Sequence, residues 1–551
     1  MYLIKVSQFC LVLVGVASWC NAEKKPNIVM IVADDVGWND VGFHGSNQIN
    51  TPNIDALGLN GIYFDRYYAQ QSCTPSRSAL LTGRYPIRLG YQGLPINPGE
   101  NRSISHDFWT LPKALKGLGY MNHLVGKWHL GSASKNFTPQ AYGYDSHYGY
   151  LDGFVSYFDH DIQSDGHLGK DMYSDHQPLT NTTGEYFTDM VTRRSIEVIK
   201  NHPQEKPLHL VISHLAAHTG KSTGDMDGVL EVASDEYNDK KYGYIPDKIR
   251  RMYAEIVERM DTSIGDVVEA LDRKGILDNT IIVFFSDNGA PTNGFFKNRG
   301  SNFPFRGIKL SLFEGGVRVP AVVYSSKFKN KGRIYKNLFH ITDWAPTLYS
   351  AAGGDASKLG LDGANQWTNL VYDSKLVKRD EILLNIDEVE GYSGLIKGRY
   401  KLINSTFGDG DETFNNYTGE VSVNRPYNVR KVLMSKTNRA LGNCKTLNQE
   451  KLLLALRKKM TMPNCRPNVD TLKCPGECLF DLKEDPCESK DISKKLPRVT
   501  ENLRNRLQIF NDERKPQLNR PVDPNSNPQH CNGFWYPWMD EDGCWFDSHQ
   551  I

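Results

Sequence analysis

The sequence predicts an α/β protein with a large, mostly parallel central sheet and a smaller C-terminal domain that contains an antiparallel sheet. Short unbroken apolar runs at residues 28–32 and 281–285 indicate the parallel sheet, because a strand covered by helices on both faces is apolar throughout. A third run of this kind, residues 208–212, lies between them. Polar residues follow all three runs, and in open parallel sheets ligands bind at the carboxyl ends of strands.

Helical patterns occur where such a sheet needs its crossovers. Apolar residues recur at helical spacing through residues 249–271, and the following Lys274-Gly275 marks the helix end. Residues 111–118 and 185–200 show further helical patterns. This alternation of helices and strands favours a sheet with helices on both faces.

Near residue 375 the pattern changes to short strands separated by turns. The runs 382–386, 394–396 and 400–403 predict a small antiparallel sheet. Residues 405–445 are polar and predict a long irregular excursion. For the aromatic tail, residues 534–538, packing against the main domain is favoured over a carbohydrate-binding strip.

The N-terminus predicts a secretory signal peptide of residues 1–22. Lys5 supplies a weak positive region, residues 9–19 are mostly apolar, and Ala22 offers a small residue at the cleavage point. The alternative is a membrane anchor, but the apolar run is shorter than the roughly 20 residues that a spanning helix needs. We expect a mature protein in the secretory pathway without a membrane anchor.

Cysteine usage agrees with export. Seven cysteines lie late in the chain, and such clustering in an exported protein predicts disulfides, although seven cannot all pair with one another. A zinc site in the Cys-x-x-x-Cys stretch is the alternative, but no matching histidine pair follows it. Cys73 stands alone, far upstream. The late cysteines are Cys444, Cys465, Cys474, Cys478, Cys487, Cys531 and Cys544.

The net charge and the local motifs limit the kinds of ligand that we expect. The net charge of +1 leaves no broad basic field, so we expect no nucleic-acid partner. Oxygen-bearing side chains of the type that Ca²⁺ or Mg²⁺ prefers follow two of the apolar runs. Each pair taken alone is equally consistent with a turn or a helix cap. These residues are Asp34, Asp35, Asp287 and Asn288.

The most specific stretch is residues 73–84, which reads Cys-Thr-Pro-Ser-Arg-Ser-Ala-Leu-Leu-Thr-Gly-Arg. It resembles the sulfatase signature, Cys-x-Pro-Ser-Arg followed by Leu-Thr-Gly. Residues 119–131 are similar to the second sulfatase block, whose Gly-Lys-x-His ending falls on Lys127 and His129. The likeness covers most of residues 26–405 and is nearest to the arylsulfatase B, I and J group.

The resemblance implies an alkaline-phosphatase-like sandwich that hydrolyses sulfate monoesters. In the family the signature cysteine is converted to Cα-formylglycine, so a formylglycine-generating enzyme is an expected partner during biosynthesis. One hydroxyl of the hydrated aldehyde would attack sulfur, and deprotonation of the other would expel sulfate. The resemblance implies one Ca²⁺, held by Asp34, Asp35, the modified Cys73, Asp287 and Asn288.

The same resemblance assigns catalytic roles. Arg77 would stabilise the hydrate, and Lys127 and Lys309 would neutralise charge on the sulfate. His129 would be the base for sulfate elimination, and His218 the acid for the departing oxygen. Together with Cys73 these residues form the expected catalytic set, in a catalytic domain of residues 23–375 followed by a C-terminal domain of residues 376–551.

The expected substrate is a sulfated sugar of a glycosaminoglycan, as with N-acetylgalactosamine 4-sulfate in the arylsulfatase B branch, with aryl sulfates also accepted. The expected location is lysosomal or extracellular. Residues 91–108 lack the paired cysteines of arylsulfatase B. Two alternatives stay open: a phosphatase or phosphodiesterase of the same superfold, and a catalytically silent secreted glycan-binding protein.

Overall fold

The computed structural model describes residues 24–222, 228–374, 376, 378–408, 411–417, 419, 425–442, 447–461, 465, 474, 476–540 and 544. The predicted signal peptide lies outside these residues. In the described ranges, no helix is both long enough and apolar enough to cross a membrane.

A mixed ten-stranded sheet forms the centre of the molecule. The strands up to residue 340 are β1 (Asn27–Ala33), β2 (Ile62–Phe64), β3 (Tyr67–Tyr68), β4 (Met121–Gly126), β5 (Ser146–Gly149), β6 (Asp161–Ser164), β7 (His167–Lys170), β8 (Tyr173–Ser174), β9 (Gln177–Pro178), β10 (Leu208–Ser213), β11 (Lys221–Ser222), β12 (Gly228–Val229), β13 (Thr280–Ser286), β14 (Ala321–Ser325), β15 (Arg333–Tyr335) and β16 (Phe339–His340). The large sheet has the order β15-β2-β14-β13-β1-β10-β4-β5-β8-β9. Its five central strands, β13, β1, β10, β4 and β5, run parallel, which confirms the predicted fold class.

Helices cover both faces of this sheet. In chain order, the α-helices of the described residues are α1 (Pro52–Leu59), α2 (Cys73–Thr82), α3 (Leu111–Gly117), α4 (Phe187–Asn201), α5 (Asp235–Tyr242), α6 (Lys248–Arg273), α7 (Glu314–Val317), α8 (Trp344–Ala351), α9 (Trp367–Tyr372), α10 (Glu412–Asn415), α11 (Val429–Leu433), α12 (Lys436–Ala440), α13 (Leu447–Met460) and α14 (Pro497–Asp512). Val29 and Ile31 of β1 join the core under α1, α4 and α6. Ile28 and Met30 join the opposite core under α2, α3 and α8. Successive side chains thus enter two different cores, which explains why the run has no polar position.

A four-stranded antiparallel sheet follows, as predicted, in the order β17-β18-β19-β20. Three strands match the predicted runs, whereas the fourth comes from a segment about 70 residues further on that was not predicted. The helix α14 packs on this sheet. The strands are β17 (Glu381–Asp387), β18 (Tyr392–Lys397), β19 (Tyr400–Asn404) and β20 (Glu477–Asp481). The boundary between residues 375 and 376 stays a prediction.

The prediction of an irregular excursion at residues 405–445 was wrong for part of this segment. Short helices α10, α11 and α12 lie in its described portion. The backbone N–H of Thr437 donates to Asn53 Oδ1 at 3.1 Å, and α12 packs on α1 and α6. Helices of four or five residues depend on such tertiary contacts and carry too few turns to show a periodic pattern.

The late cysteines form three disulfides in the described residues, which excludes the zinc alternative. They join Cys465 to Cys487, Cys474 to Cys478 and Cys531 to Cys544. Cys444 lies outside the described residues. In the aromatic tail, Trp535 is buried in the main core, and its indole N–H donates to the carbonyl oxygen of Ile162 at 3.0 Å.

Candidate active site

The carboxyl ends of neighbouring central strands meet at one edge of the sheet. Ala33 at the end of β1 pairs with Ser286 of β13, and Ser213 at the end of β10 pairs with Gly126 of β4. The residues that follow these strands are therefore brought together, although they come from distant parts of the sequence. They include Asp34, Asp35, Lys127, Asp287 and Asn288.

Three buried carboxylates form the centre of this site. One oxygen each from Asp34, Asp35 and Asp287 lies within 4.8 Å of the others. Asn288 Nδ2 donates to Asp35 Oδ1 at 2.5 Å. Asp34 Oδ1 and Asn288 Oδ1 have no hydrogen-bond partner in the described structure. Buried oxygens without donors, beside converging carboxylates, fit a hard divalent cation such as Ca²⁺.

Two lysines balance part of this negative charge. Lys127 Nζ lies 2.7 Å from Asp34 Oδ2, and Lys309 Nζ lies 2.8 Å from Asp35 Oδ1. Burial by itself would raise the pKa of Asp34, but the nearby positive charges, with Lys127 foremost, hold this pKa below its ordinary value. Burial would likewise lower the pKa of Lys309, but Asp35 raises it above its ordinary value. The site therefore places two buried lysine ammonium groups directly beside two buried aspartate carboxylates.

The signature stretch folds as α2 and ends at the same place. Pro75 is tolerated in the first turn, where amide groups have no intrahelical acceptor. Gly83 ends the helix with a left-handed φ of 67°. Ala79 and Leu81 pack in the core below the sheet. This packing fixes Cys73, the first residue of α2, beside the carboxylates.

Side chains of α2 tie the helix to the strand ends. The Arg77 guanidinium donates from Nε and Nη2 to Asp287 Oδ2 at 3.1 and 2.8 Å. Its Nη1 donates to Ser213 Oγ at 2.6 Å, and Ser76 Oγ donates to the backbone oxygen of Asp287 at 2.5 Å. Burial raises the pKa of the Cys73 thiol, so the unmodified side chain is a protonated and poor nucleophile at neutral pH.

Two histidines line the same cavity. His129 Nε2 faces a backbone carbonyl oxygen at 2.9 Å, and its Nδ1 has no hydrogen-bond partner among the described residues. His218 Nδ1 faces a carbonyl oxygen at 2.7 Å, and its Nε2 lies 3.6 Å from Asp35 Oδ2. Burial lowers the pKa of both rings, that of His218 to about 4. All predicted site residues thus lie in one cluster.

The cluster opens into a cavity of about 150 Å³ that Cys73 lines. The rest of the wall includes aromatic residues that sequence reasoning did not single out, among them Phe154, Phe295 and Phe296. These come from loops, where a single aromatic residue has no periodic pattern. The pair Phe295-Phe296 beside Gly294 is the one signal that could have drawn notice. Ser213, which orients Arg77, was also missed.

Comparisons with known proteins agree with this geometry. The Sulfatase family model matches residues 26–354. Arylsulfatase J of Mus musculus is 34% identical over 540 residues, covering 94% of this chain and 81% of the relative. N-acetylgalactosamine-6-sulfatase of Homo sapiens is 31% identical over 359 residues, covering 62% of this chain and 65% of the relative. The crystal structure of Ps i-CgsB in complex with k-i-k-neocarrahexaose superposes with a TM-score of 0.69 and 25% identity, covering 90% of this chain and 94% of that one.

The fold and these relatives define the protein as a sulfuric ester hydrolase. The chain belongs to the sulfatase family.

Proposed function

We propose that the protein hydrolyses sulfate monoesters through a formylglycine made from Cys73, with one bound Ca²⁺. The observation that carries this proposal is the convergence of the signature helix with three buried carboxylates and two lysines at one sheet edge. A phosphatase of the same superfold would carry Ser or Thr at position 73. The residues that would hold the ion are Asp34, Asp35, residue 73, Asp287 and Asn288.

The cation and the formylglycine would supply distinct chemistry. The cation would add positive charge where a sulfate oxygen binds. The hydrated aldehyde would offer one hydroxyl to sulfur and a second whose deprotonation releases sulfate. The chain itself supplies orientation, because Arg77 holds Asp287 through two hydrogen bonds and a third bond to Ser213 fixes the guanidinium.

Lys127 and Lys309 stabilise charge on the sulfate. Both ammonium groups are buried and fixed by the carboxylates of Asp34 and Asp35. Fixed cations in a site that excludes water stabilise developing charge without having to reorganise. We therefore assign them to the sulfate oxygens, with Lys127 beside the nucleophile and Lys309 at the cavity wall.

The two histidines move protons. His129 is neutral because of burial, and its Nδ1 is free of protein partners in the described structure, so this ring can accept a proton when sulfate is expelled. His218 faces Asp35 through Nε2. Burial lowers the pKa of this ring even beside Asp35, and the negative charge of a bound sulfate would favour the protonated ring, which then donates to the departing oxygen.

Sulfated sugars are the substrate class that the relatives support. One relative is named for N-acetylgalactosamine 6-sulfate, and one structural neighbour was solved with k-i-k-neocarrahexaose. We propose a sulfated sugar, such as an N-acetylgalactosamine sulfate of a glycosaminoglycan, and aryl sulfates as substrates. A formylglycine-generating enzyme would act on the chain before it leaves the endoplasmic reticulum.

We propose delivery to the lysosome or the extracellular space. Three disulfides support an oxidising compartment. Four of five Asn-x-Ser/Thr sequons have exposed asparagines, as glycan acceptors require, and the fifth, Asn416, is half-buried. The exposed asparagines are Asn101, Asn136, Asn181 and Asn404.

The test is hydrolysis of an aryl sulfate by protein from a eukaryotic secretory host, with aryl phosphate as the competing substrate. We expect sulfate release that a chelator abolishes and Ca²⁺ restores. Faster hydrolysis of the phosphate would support the phosphatase alternative. No turnover by protein whose residue 73 is formylglycine by peptide mass would support the silent glycan-binding alternative.

A further inference from the structure

We propose that the cavity wall selects sulfate esters whose leaving alcohol is uncharged and carries an apolar ring, preferably an aromatic one. This inference rests on the proposed sulfatase function and narrows its substrate class. It starts from the position of the cavity, which opens directly from Cys73, His129, His218 and Lys309. The leaving group of any ester held at Cys73 must occupy this space.

An aromatic wall stands beside the proposed acid. The Phe154 ring stacks on the His218 imidazole with centroids 5.1 Å apart and planes at 19°. Phe296 lies 5.1 Å from Phe154 and 5.6 Å from His218, measured between centroids. Because these rings line the cavity that opens from Cys73, the group attached to the departing oxygen must lie close to them. A planar apolar ring gains offset or edge contacts there.

The mouth of the cavity exposes further apolar surface. Phe295 is 44% exposed and Leu94 is 40% exposed, and both line the cavity. Phe414 supports the Phe295 ring, with centroids 5.5 Å apart. Large apolar side chains that stay exposed in a concave site mark a surface for a ligand. The occupant that fits is the apolar portion of the substrate itself.

The lining residues that the structure describes offer no unpaired cation to a second anion. Among the described lining residues, Lys309 is the one side chain with a permanent charge, and Asp35 holds it at 2.8 Å. A uronate or second sulfate placed against the phenylalanines would lose hydration without gaining a cation. Among the proposed substrates, an aryl sulfate, or a neutral sulfated sugar that bears an aromatic aglycone, is therefore favoured over a glycosaminoglycan segment that would place a uronate or a second sulfate against this wall.

The first experiment compares 2-naphthyl sulfate with the same ester carrying a 6-carboxylate. The sulfate and its point of attachment are identical in the two esters. The comparison therefore measures the effect on kcat/KM of a negative charge placed against the cavity wall. We expect kcat/KM for the carboxylate to be at least tenfold lower. Equal or higher kcat/KM for the carboxylate would overturn the inference while leaving the sulfatase function intact.

The second experiment locates the selectivity at the wall. Phe295→Ala should lower kcat/KM for 2-naphthyl sulfate five- to tenfold, mainly through KM, and should reduce the discrimination against the carboxylate. The inhibition constant of inorganic sulfate should change less than twofold, because inorganic sulfate occupies only the sulfate subsite. Val389→Ala, at a side chain 67% exposed in the antiparallel sheet region, is the matched control and should behave as wild type.

Two outcomes separate the inference from the function on which it rests. If Phe295→Ala weakens inorganic sulfate and both naphthyl esters equally, the side chain acts on the sulfate subsite or the fold, and the inference is wrong. If formylglycine-bearing wild-type protein hydrolyses neither ester, the proposed function fails and the inference fails with it.

Discussion

Two pairs of buried carboxylates in this molecule are balanced in different ways. At the sheet edge, Asp34 and Asp35 face Lys127 and Lys309 at 2.7 and 2.8 Å. A second pair, Asp152 and Asp171, lies behind the cavity wall, and in the described part of the chain no lysine or arginine forms an ion pair with either member.

Burial favours the protonated form of the second pair. Asp171 accepts the backbone amide of Asp152 at 2.8 Å, and Asp152 accepts the Ser132 hydroxyl at 2.9 Å. Burial raises the pKa of Asp152 to about 6, and burial together with the charge of Asp152 raises the pKa of Asp171 well above its ordinary value. Neighbouring groups thus decide whether buried aspartates stay ionised for a metal or hold hydrogen.

The second pair also lies close to the two histidines of the proposed active site. Asp152 precedes Gly153, and a Cβ at Gly153 would lie 3.2 Å from the His129 ring. The next residue, Phe154, stacks on His218. Through their hydrogen bonds, Asp152 and Asp171 therefore anchor the loop that carries part of the cavity wall.

Removal of calcium from the carboxylates at the sheet edge should have the largest effect on activity. Chelation leaves Asp34, Asp35 and Asp287 facing one another with unsatisfied oxygens, so we expect activity to fall at least a hundredfold and the melting temperature to drop. Readdition of Ca²⁺ should restore both. Calorimetry and aryl-sulfate assays before and after chelation measure this, and full activity in metal-free protein would contradict the assigned ion.

Lys127→Met should cause the next largest loss of activity. The substitution keeps the length of the side chain but removes the charge that opposes Asp34, so we expect kcat to fall about a hundred- to thousandfold, a typical cost for one stabilising group. Lys116→Met, at an exposed lysine that pairs with Asp145, is the control. Activity within threefold of wild type would show that Lys127 serves only to neutralise Asp34.

Asp152→Asn should alter stability rather than chemistry. An acid whose pKa is raised on folding stabilises the folded state at low pH, and this contribution is lost as pH rises through about 6. Asp152→Asn removes this contribution, so between pH 5 and pH 8 the free energy of unfolding of the variant should change by about 1 to 2 kcal/mol in the stabilising direction relative to wild type. Denaturant unfolding at both pH values measures the difference.

Asp272→Asn, at an exposed aspartate at the end of α6, is the matched control for that experiment. It should preserve the wild-type pH dependence. An Asp152→Asn protein whose free energy of unfolding changes between pH 5 and pH 8 by the same amount as that of wild type would show that Asp152 is not protonated in the folded state.

The parts predictable from sequence are those with a local pattern. Strand β1 was predictable because its residues enter two cores in alternation, and α6 because its apolar face repeats over 26 residues. The site residues were found by resemblance, since aspartates after a strand are equally typical of turns. The structure adds the fact that they converge.

Other parts had no local signal. Strand β20 pairs with β19 across a long insertion, so only the folded chain reveals it. The cavity wall joins Phe154 to Phe296, which are 142 residues apart and meet only through loops. Asp152 and Asp171 likewise come together across the β6–β7 hairpin, and nothing in their neighbouring residues in the sequence distinguishes a buried pair from a surface pair.

The central claim is that residue 73 is the nucleophile, and one paired measurement tests it most directly. Wild-type and Cys73→Ala proteins from a eukaryotic secretory host are compared for peptide mass at residue 73 and for aryl-sulfate turnover with Ca²⁺ present. We expect formylglycine in the wild type and a loss of at least a thousandfold in turnover by a folded variant. Turnover that survives in Cys73→Ala would contradict it.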